Sequence, residues 1–233
     1  MPAAAGLTGR EAGLPITTVI FDLDGVIIDS EELWNEVRRD FTVAHGGTWT
    51  ERDQRAVMGD DSWQWAHHIR IECGVELGER RIIDGVVRRL LARYEEHLPV
   101  IAGAREAVVG LSRAHRLGLA SSAPPEVIRY VVRAAGLAGV FSGWLSSDDV
   151  GVGKPAPDAY LAACARLHVD RAGAAAVEDS ENGLRAARNA GLAVVAVPNR
   201  RFPPSPEALE LADLVLTSIA ELTPVAVASL SRT

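Results

Sequence analysis

The sequence predicts an α/β fold, a parallel sheet with helices on both faces, interrupted early by an all-helical insertion. Three observations lead there. Short apolar runs without polar alternation recur at residues 17–21, 117–120, 174–177 and 193–197, the pattern of strands covered on both faces. Helical patterns lie between the later runs, and alternating strand and helix builds a parallel sheet. Residues 30–98 hold three helical patterns in succession and no strand-like run.

The first strand, 17–21, is β-branched and aromatic and ends in the polar loop Asp22-Leu23-Asp24-Gly25. Asp29 or Ser30 is placed to cap a helix with the apolar stripe Leu33, Val37, Phe41 and Ala44, stopped at Gly46-Gly47. A second helical pattern covers residues 61–71. A third covers 80–91, with Ile82, Ile83, Val86, Val87, Leu90 and Leu91 on its apolar side. The run at 117–120 precedes Ser121-Ser122, and Pro125-Glu126 then opens a helix with Val127, Ile128, Val131, Val132 and Ala135 on one face and Gly136 as its stop. The run at 174–177 precedes Glu178-Asp179, a helix spans 182–190 before Gly191, and the run at 193–197 precedes Pro198-Asn199. In parallel sheets the binding crevice lies beyond the carboxyl ends of the strands. The polar clusters at these ends are therefore expected to converge on one site.

Length and charge narrow the function. The 233 residues suffice for one large domain or a core with a smaller companion. A formal charge of −7 argues against a nucleic-acid binder, which needs a basic face to displace counterions. It leaves small phosphate esters open, since a divalent cation and one lysine can set the local field. The two cysteines, Cys73 and Cys164, are too few for a disulfide framework and show no metal-binding spacing, and the six histidines carry no pattern; His67-His68 reads as a solvated helix face. A reducing, cytoplasmic setting is expected. No run approaches the roughly 20 apolar residues of a membrane span, and no membrane partner is expected. Residues 1–15 read as a flexible leader rather than a signal peptide.

The chemistry resides in four segments. An apolar strand ending in Asp22-Leu23-Asp24-Gly25-Val26, followed by Asp29-Ser30-Glu31, resembles the first motif of the haloacid dehalogenase superfamily. Ser121 after Leu119-Ala120, Lys154 in Gly153-Lys154-Pro155-Ala156-Pro157-Asp158, and Val177-Glu178-Asp179-Ser180-Glu181-Asn182-Gly183 match the second, third and fourth motifs in family order. The resemblance implies a Rossmann-like catalytic core from residues 16–29 and 99–233, with residues 30–98 inserted as a helical cap.

The residue types fit that chemistry. A phosphate ester is a dianion and repels a carboxylate nucleophile, so negative charge must be cancelled before attack. Mg²⁺ prefers oxygen ligands. Asp22, Asp179 and Glu178 offer carboxylates, and the resemblance adds the backbone carbonyl of Asp24. Lys154 supplies a compact positive charge, and Ser121, Ser122 and nearby backbone N–H groups can hold phosphoryl oxygens. Attack by Asp22 would give an aspartyl-phosphate, with Asp24 as the general acid and then base.

An insertion directly after the first motif resembles the C1-capped subgroup, in which the cap closes over the site and contacts the leaving group. Gly59, Asp60, Ser62 and Trp63 fall where the family places its substrate-facing cap loop, and Trp34, Trp63 and Trp65 are candidates for an apolar wall. Dehalogenation is disfavoured, because the metal-free dehalogenases lack the second aspartate that Asp24 supplies. A β-phosphoglucomutase-like reaction is the first rival. Such sequences hold a second phosphate with a cap arginine and a lysine after the second motif, and neither the stretch from Gly59 to Ser62 nor that from Ser121 to Pro125 is basic. A non-catalytic binding protein of the same fold is the second rival, opposed by the intact motif set. The hinge departs from the family pattern, with Ala102 before Gly103 where proline is common. The expectation is a Mg²⁺-dependent, monomeric phosphatase of a small phosphorylated metabolite, a sugar phosphate.

Overall fold

The computed structural model describes residues 14–230; most of the segment read as a leader lies outside them. In chain order the elements are β1 (Thr18–Phe21), α1 (Glu31–Ala44), α2 (Glu51–Ala56), α3 (Ser62–Ile71), α4 (Glu79–Glu96), α5 (Ala104–Leu111), β2 (Arg116–Ser121), α6 (Pro125–Ala134), β3 (Gly143–Ser146), α7 (Asp158–Arg166), β4 (Ala174–Glu178), α8 (Glu181–Asn189), β5 (Ala193–Ala196), α9 (Pro206–Leu209), β6 (Leu214–Val215) and α10 (Pro224–Ala228).

All six strands are parallel, in the order β3-β2-β1-β4-β5-β6. Successive side chains of a strand point to opposite faces, and the core divides accordingly. Val19, Phe21, Leu119, Val177 and Val195 belong to one apolar cluster, with α5 and α6. Ile20, Ala120, Ala176, Val194 and Ala196 belong to the other, with α7 and α8. Burial on both sides explains the absence of polar alternation in these runs.

Register places the site. Phe21 pairs with Leu119 on one side and with Val177 on the other. The next residue on each chain is Asp22, Ala120 or Glu178, so the polar ends emerge side by side. The winding reverses at β1, with β2 on one flank and β4 on the other. A crevice opens at such a switch point.

Residues 31–96 hold α1 to α4 and no strand. Their amphipathic faces pack on each other, with α3 and α1 both against α4, and bury Phe41, Trp65, Ile69, Ile82, Val86 and Leu90. Three details differ from the sequence expectation, the first being α2 itself, which no pattern there announced. Ser30 occupies the N-cap position of α1 without making a side-chain cap bond; its hydroxyl donates to Asp24 instead. His68 is no solvated residue, since its Nε2 lies 2.9 Å from Asp53 Oδ1 beside the buried Cys73, and the three offer ligand atoms within 4.8 Å of one another. No helix among the described residues is long and apolar enough to cross a membrane.

Candidate active site

Lys154 Nζ donates to Asp22 Oδ1 at 2.5 Å, to Glu178 Oε1 at 2.6 Å and to the Ala120 carbonyl at 3.2 Å. It is 5% exposed, and Tyr160 OH fixes the same Glu178 oxygen at 2.7 Å. The loop from β3 to α7 thus delivers one ammonium into the gap where β1, β2 and β4 end. Two glycines permit the crowding. A Cβ on Gly25, whose φ is +79°, would sit 1.8 Å from Asp179 Oδ2, and one on Gly183 would sit 1.9 Å from Glu178 Oε2. The glycines of the first and fourth motifs are there because carboxylates occupy the space a side chain would need.

Asp22, Glu178 and Asp179 are all buried, and one oxygen from each lies within 4.8 Å of the others. Three carboxylates against one ammonium leave surplus negative charge in a low-dielectric pocket. Burial, together with Glu178 and Asp24, pushes the Asp22 carboxyl up to about 8 despite Lys154. Burial, Glu178 and Asp22 push Asp179 well above the ordinary carboxylate range. Burial opposes the Lys154 ammonium, yet Asp22 and Glu178 hold it above the usual lysine value. An oxygen-rich site with excess negative charge suits a hard divalent cation, and the donor set fits one.

Asp24 Oδ1 accepts from Ser30 Oγ and, at 3.0 Å, from Trp34 Nε1. Both donors belong to the start of the helical block, so the second aspartate is oriented from outside the sheet. Ser121 is buried; its hydroxyl accepts from Ala123 N at 3.0 Å and lies 3.5 Å from Asp24 Oδ2. Ser122 Oγ donates to the Gly59 carbonyl at 2.9 Å, tying β2 to the helical block.

These groups open into a cleft of about 430 Å³ lined by Asp22, Asp24, Lys154, Asp179, Ser122, Gly59 and Asp60, with Trp34 and Trp65 on the helical side. Ser121 does not line it, nor do two residues of the helical block expected at the substrate. Ser62 is fully buried; its N–H and hydroxyl donate to Asp148 at 3.0 and 2.5 Å. Trp63 is 47% exposed, because it stands two residues, about 200° of helix, from the inward Trp65. Missing from the sequence reading are Glu31, Arg38 and Arg55, which also line the cleft. Arg38 stands four residues after Trp34 on α1, and that spacing is the one signal that could have placed it beside an aromatic wall.

Residues 16–191 match the haloacid dehalogenase-like hydrolases. Hexitol phosphatase B of Escherichia coli K12 is 31% identical over 220 residues, covering 89% of this chain and 95% of that one. A phosphorylated carbohydrates phosphatase of Thermotoga maritima is 31% identical over 179 residues, 75% of this chain and 81% of its own. Among solved structures, a mutant of CbbY from Rhodobacter sphaeroides in complex with xylulose-(1,5)bisphosphate superposes with a TM-score of 0.80 at 28% identity, covering 91% of this chain and 99% of that one. The chain belongs to the haloacid dehalogenase-like hydrolases, and the curated relatives named here are phosphatases.

Proposed function

We propose that this haloacid dehalogenase-like hydrolase is a Mg²⁺-dependent phosphatase of a small sugar phosphate and works through an aspartyl-phosphate on Asp22. The observation that carries the reading is the buried set of three carboxylates around Lys154 at the carboxyl end of the sheet. The phosphatases among its relatives support the same reaction class.

Asp22, Glu178, Asp179 and the Asp24 carbonyl would hold the ion, which supplies positive charge against the phosphoryl oxygens. Lys154 fixes Asp22 through Oδ1 and adds its own charge beside the incoming dianion. A carboxylate oxygen of Asp22 forms the bond to phosphorus as the bond to the leaving oxygen breaks. Asp24, held by Ser30 and Trp34, gives its proton to that oxygen and later takes one from the water that cleaves the acyl phosphate. Proton transfer of this kind contributes about 10²–10⁴-fold. Residues 30–98 act as the cap. Both cysteines are buried and free, in keeping with the cytoplasmic setting that belongs to the reading.

The test is phosphate release from p-nitrophenyl phosphate and sorbitol 6-phosphate, with and without Mg²⁺. Asp22→Asn is expected to lower it by about 10⁶-fold, the scale for removing a nucleophile. Unchanged release in that variant would end the covalent mechanism. Isomerisation of β-glucose 1-phosphate primed by catalytic bisphosphate, with little phosphate release, would move the reaction to a mutase.

A further inference from the structure

Arg38 is 5% exposed, as buried as Lys154, yet its guanidinium has no ion-pair or hydrogen-bond partner among the described residues, and its buried Nε is unsatisfied. It lies over two indole rings, 4.8 Å from the centroid of Trp34 and 5.3 Å from that of Trp65. Contacts to ring faces leave the edge of a guanidinium, where its five N–H groups point, for acceptors. A buried charge without a hydrogen-bonded partner costs stability, so it persists where something other than the fold uses it. Arg38 lines the cleft, as do Glu31 and Asp60. The negative charges of Glu31, Asp24 and Asp60 oppose the effect of burial on Arg38, but none of these carboxylates pairs with it. Glu31 instead accepts from Gln54.

Arg55 lines the cleft too but is largely exposed and pairs with Glu51 at 3.7 Å, which leaves one buried donor fork and two acceptors, a wall suited to groups that both give and accept hydrogen bonds. Hydroxyls do so, whereas a second phosphate offers acceptors and would meet two carboxylates. Resting on the phosphatase reading above, we propose that Arg38 is the specificity-determining residue for the leaving group: its guanidinium edge receives hydroxyl oxygens of an uncharged polyol, which donates in turn to Glu31 and Asp60. Arg38 forms and breaks no bond in the phosphoryl transfer itself.

The experiment compares wild-type enzyme with Arg38→Met on sorbitol 6-phosphate, xylulose 1,5-bisphosphate and p-nitrophenyl phosphate, with a thermal melt of each protein. The expected result is a loss of kcat/KM on sorbitol 6-phosphate of about 10–100-fold, the size of a hydrogen bond from a charged donor, chiefly in KM. The loss on p-nitrophenyl phosphate, which carries no hydroxyl for Arg38, is smaller by at least about tenfold, and Tm holds or rises. A larger loss on the bisphosphate than on sorbitol 6-phosphate assigns the guanidinium to an anion and overturns the proposal. Equal losses on all three with a lowered Tm overturn it too, since Arg38 would then only support the fold. A wild-type enzyme inactive on every substrate sinks the phosphatase reading instead. Calorimetry of sorbitol 6-phosphate then decides on Arg38, an equal Kd for both proteins counting against it.

Discussion

Of the three cations among the described residues that line the cleft, two are buried, Lys154 from the sheet and Arg38 from the helical block. Each is 5% exposed. Lys154 meets two carboxylates at 2.5 and 2.6 Å, whereas Arg38 meets none and rests on tryptophan faces. The difference separates two uses of buried charge. On the strand-end wall the one ammonium is paired with Asp22 and Glu178, so the groups proposed for phosphoryl transfer are held in place by one another. On the helical wall a charge is left open, and its partner comes from outside. In the proposed function, reaction and recognition fall mainly to two parts of the chain, joined where Ser30 and Trp34 donate to Asp24.

The largest effect is expected at Lys154. Lys154→Met leaves Asp22, Glu178 and Asp179 buried without their common counter-charge, and breaking such a buried pair costs about 3–5 kcal/mol. Denaturant unfolding without divalent ions should show that loss, and added Mg²⁺ should recover part of it by binding the folded state. Phosphate release should fall by at least about 10²–10³-fold. Arg38→Met, by contrast, should leave stability intact. If the two variants lose the same stability, the contrast between the walls disappears.

A smaller effect tests the joint between the walls. Ser62 closes on Asp148 through two hydrogen bonds across 86 residues of chain. Burial raises the Asp148 carboxyl, and the Ser62 bonds hold it down. Ser62→Ala removes one hydrogen bond to a charged acceptor, worth about 2 kcal/mol, or about 4–8 °C in Tm for a chain of this size. The activity on p-nitrophenyl phosphate should change little, because Ser62 is remote from Asp22 in role and does not line the cleft. An unaltered Tm would mean that the joint contributes nothing.

The two walls were not equally legible in the sequence. The strand-end wall could be read because each of its parts is coded locally, an apolar run followed at once by its polar cluster, and register then brings Asp22, Ala120 and Glu178 level. β3 and β6 escaped because Gly143–Ser146 mixes glycine, tryptophan and serine and Leu214–Val215 is two residues long. On the helical wall the broad pattern of three helices was visible, but α2 was not, and Ser62 and Trp63 were misplaced. Trp63 was expected at the substrate and Trp65 only as part of a wall, although helix rotation turns the latter inward. Arg38 belongs to no motif of the sequence. Its burial depends on Trp65, which lies 27 residues further along the chain on another helix, and no local pattern encodes that meeting.

The smallest expected effect concerns Asp60, the half-buried acceptor beside Arg38 on the helical wall. Burial pushes its carboxyl up to about 6; Arg38 and His68 pull it down and Asp61 adds to the rise. In the unfolded chain an aspartate loses its proton near pH 3.9. Between about pH 4 and 6 the folded protein therefore binds more protons at this position than the unfolded chain, and stability falls as pH rises through that window. Asp60→Asn removes the titration while leaving Arg38, Asp61 and His68 in place. The Tm advantage of the variant should be near zero at pH 4, grow towards pH 6 and then level off. Because Asp60 is partly exposed, solvent screening limits the gain to about 1 kcal/mol, or about 2–4 °C. Melts of both proteins at half-unit steps of pH measure it directly. An advantage that stays constant with pH would show that the helical wall leaves Asp60 ionised at no cost, and that its open charge is balanced from within after all.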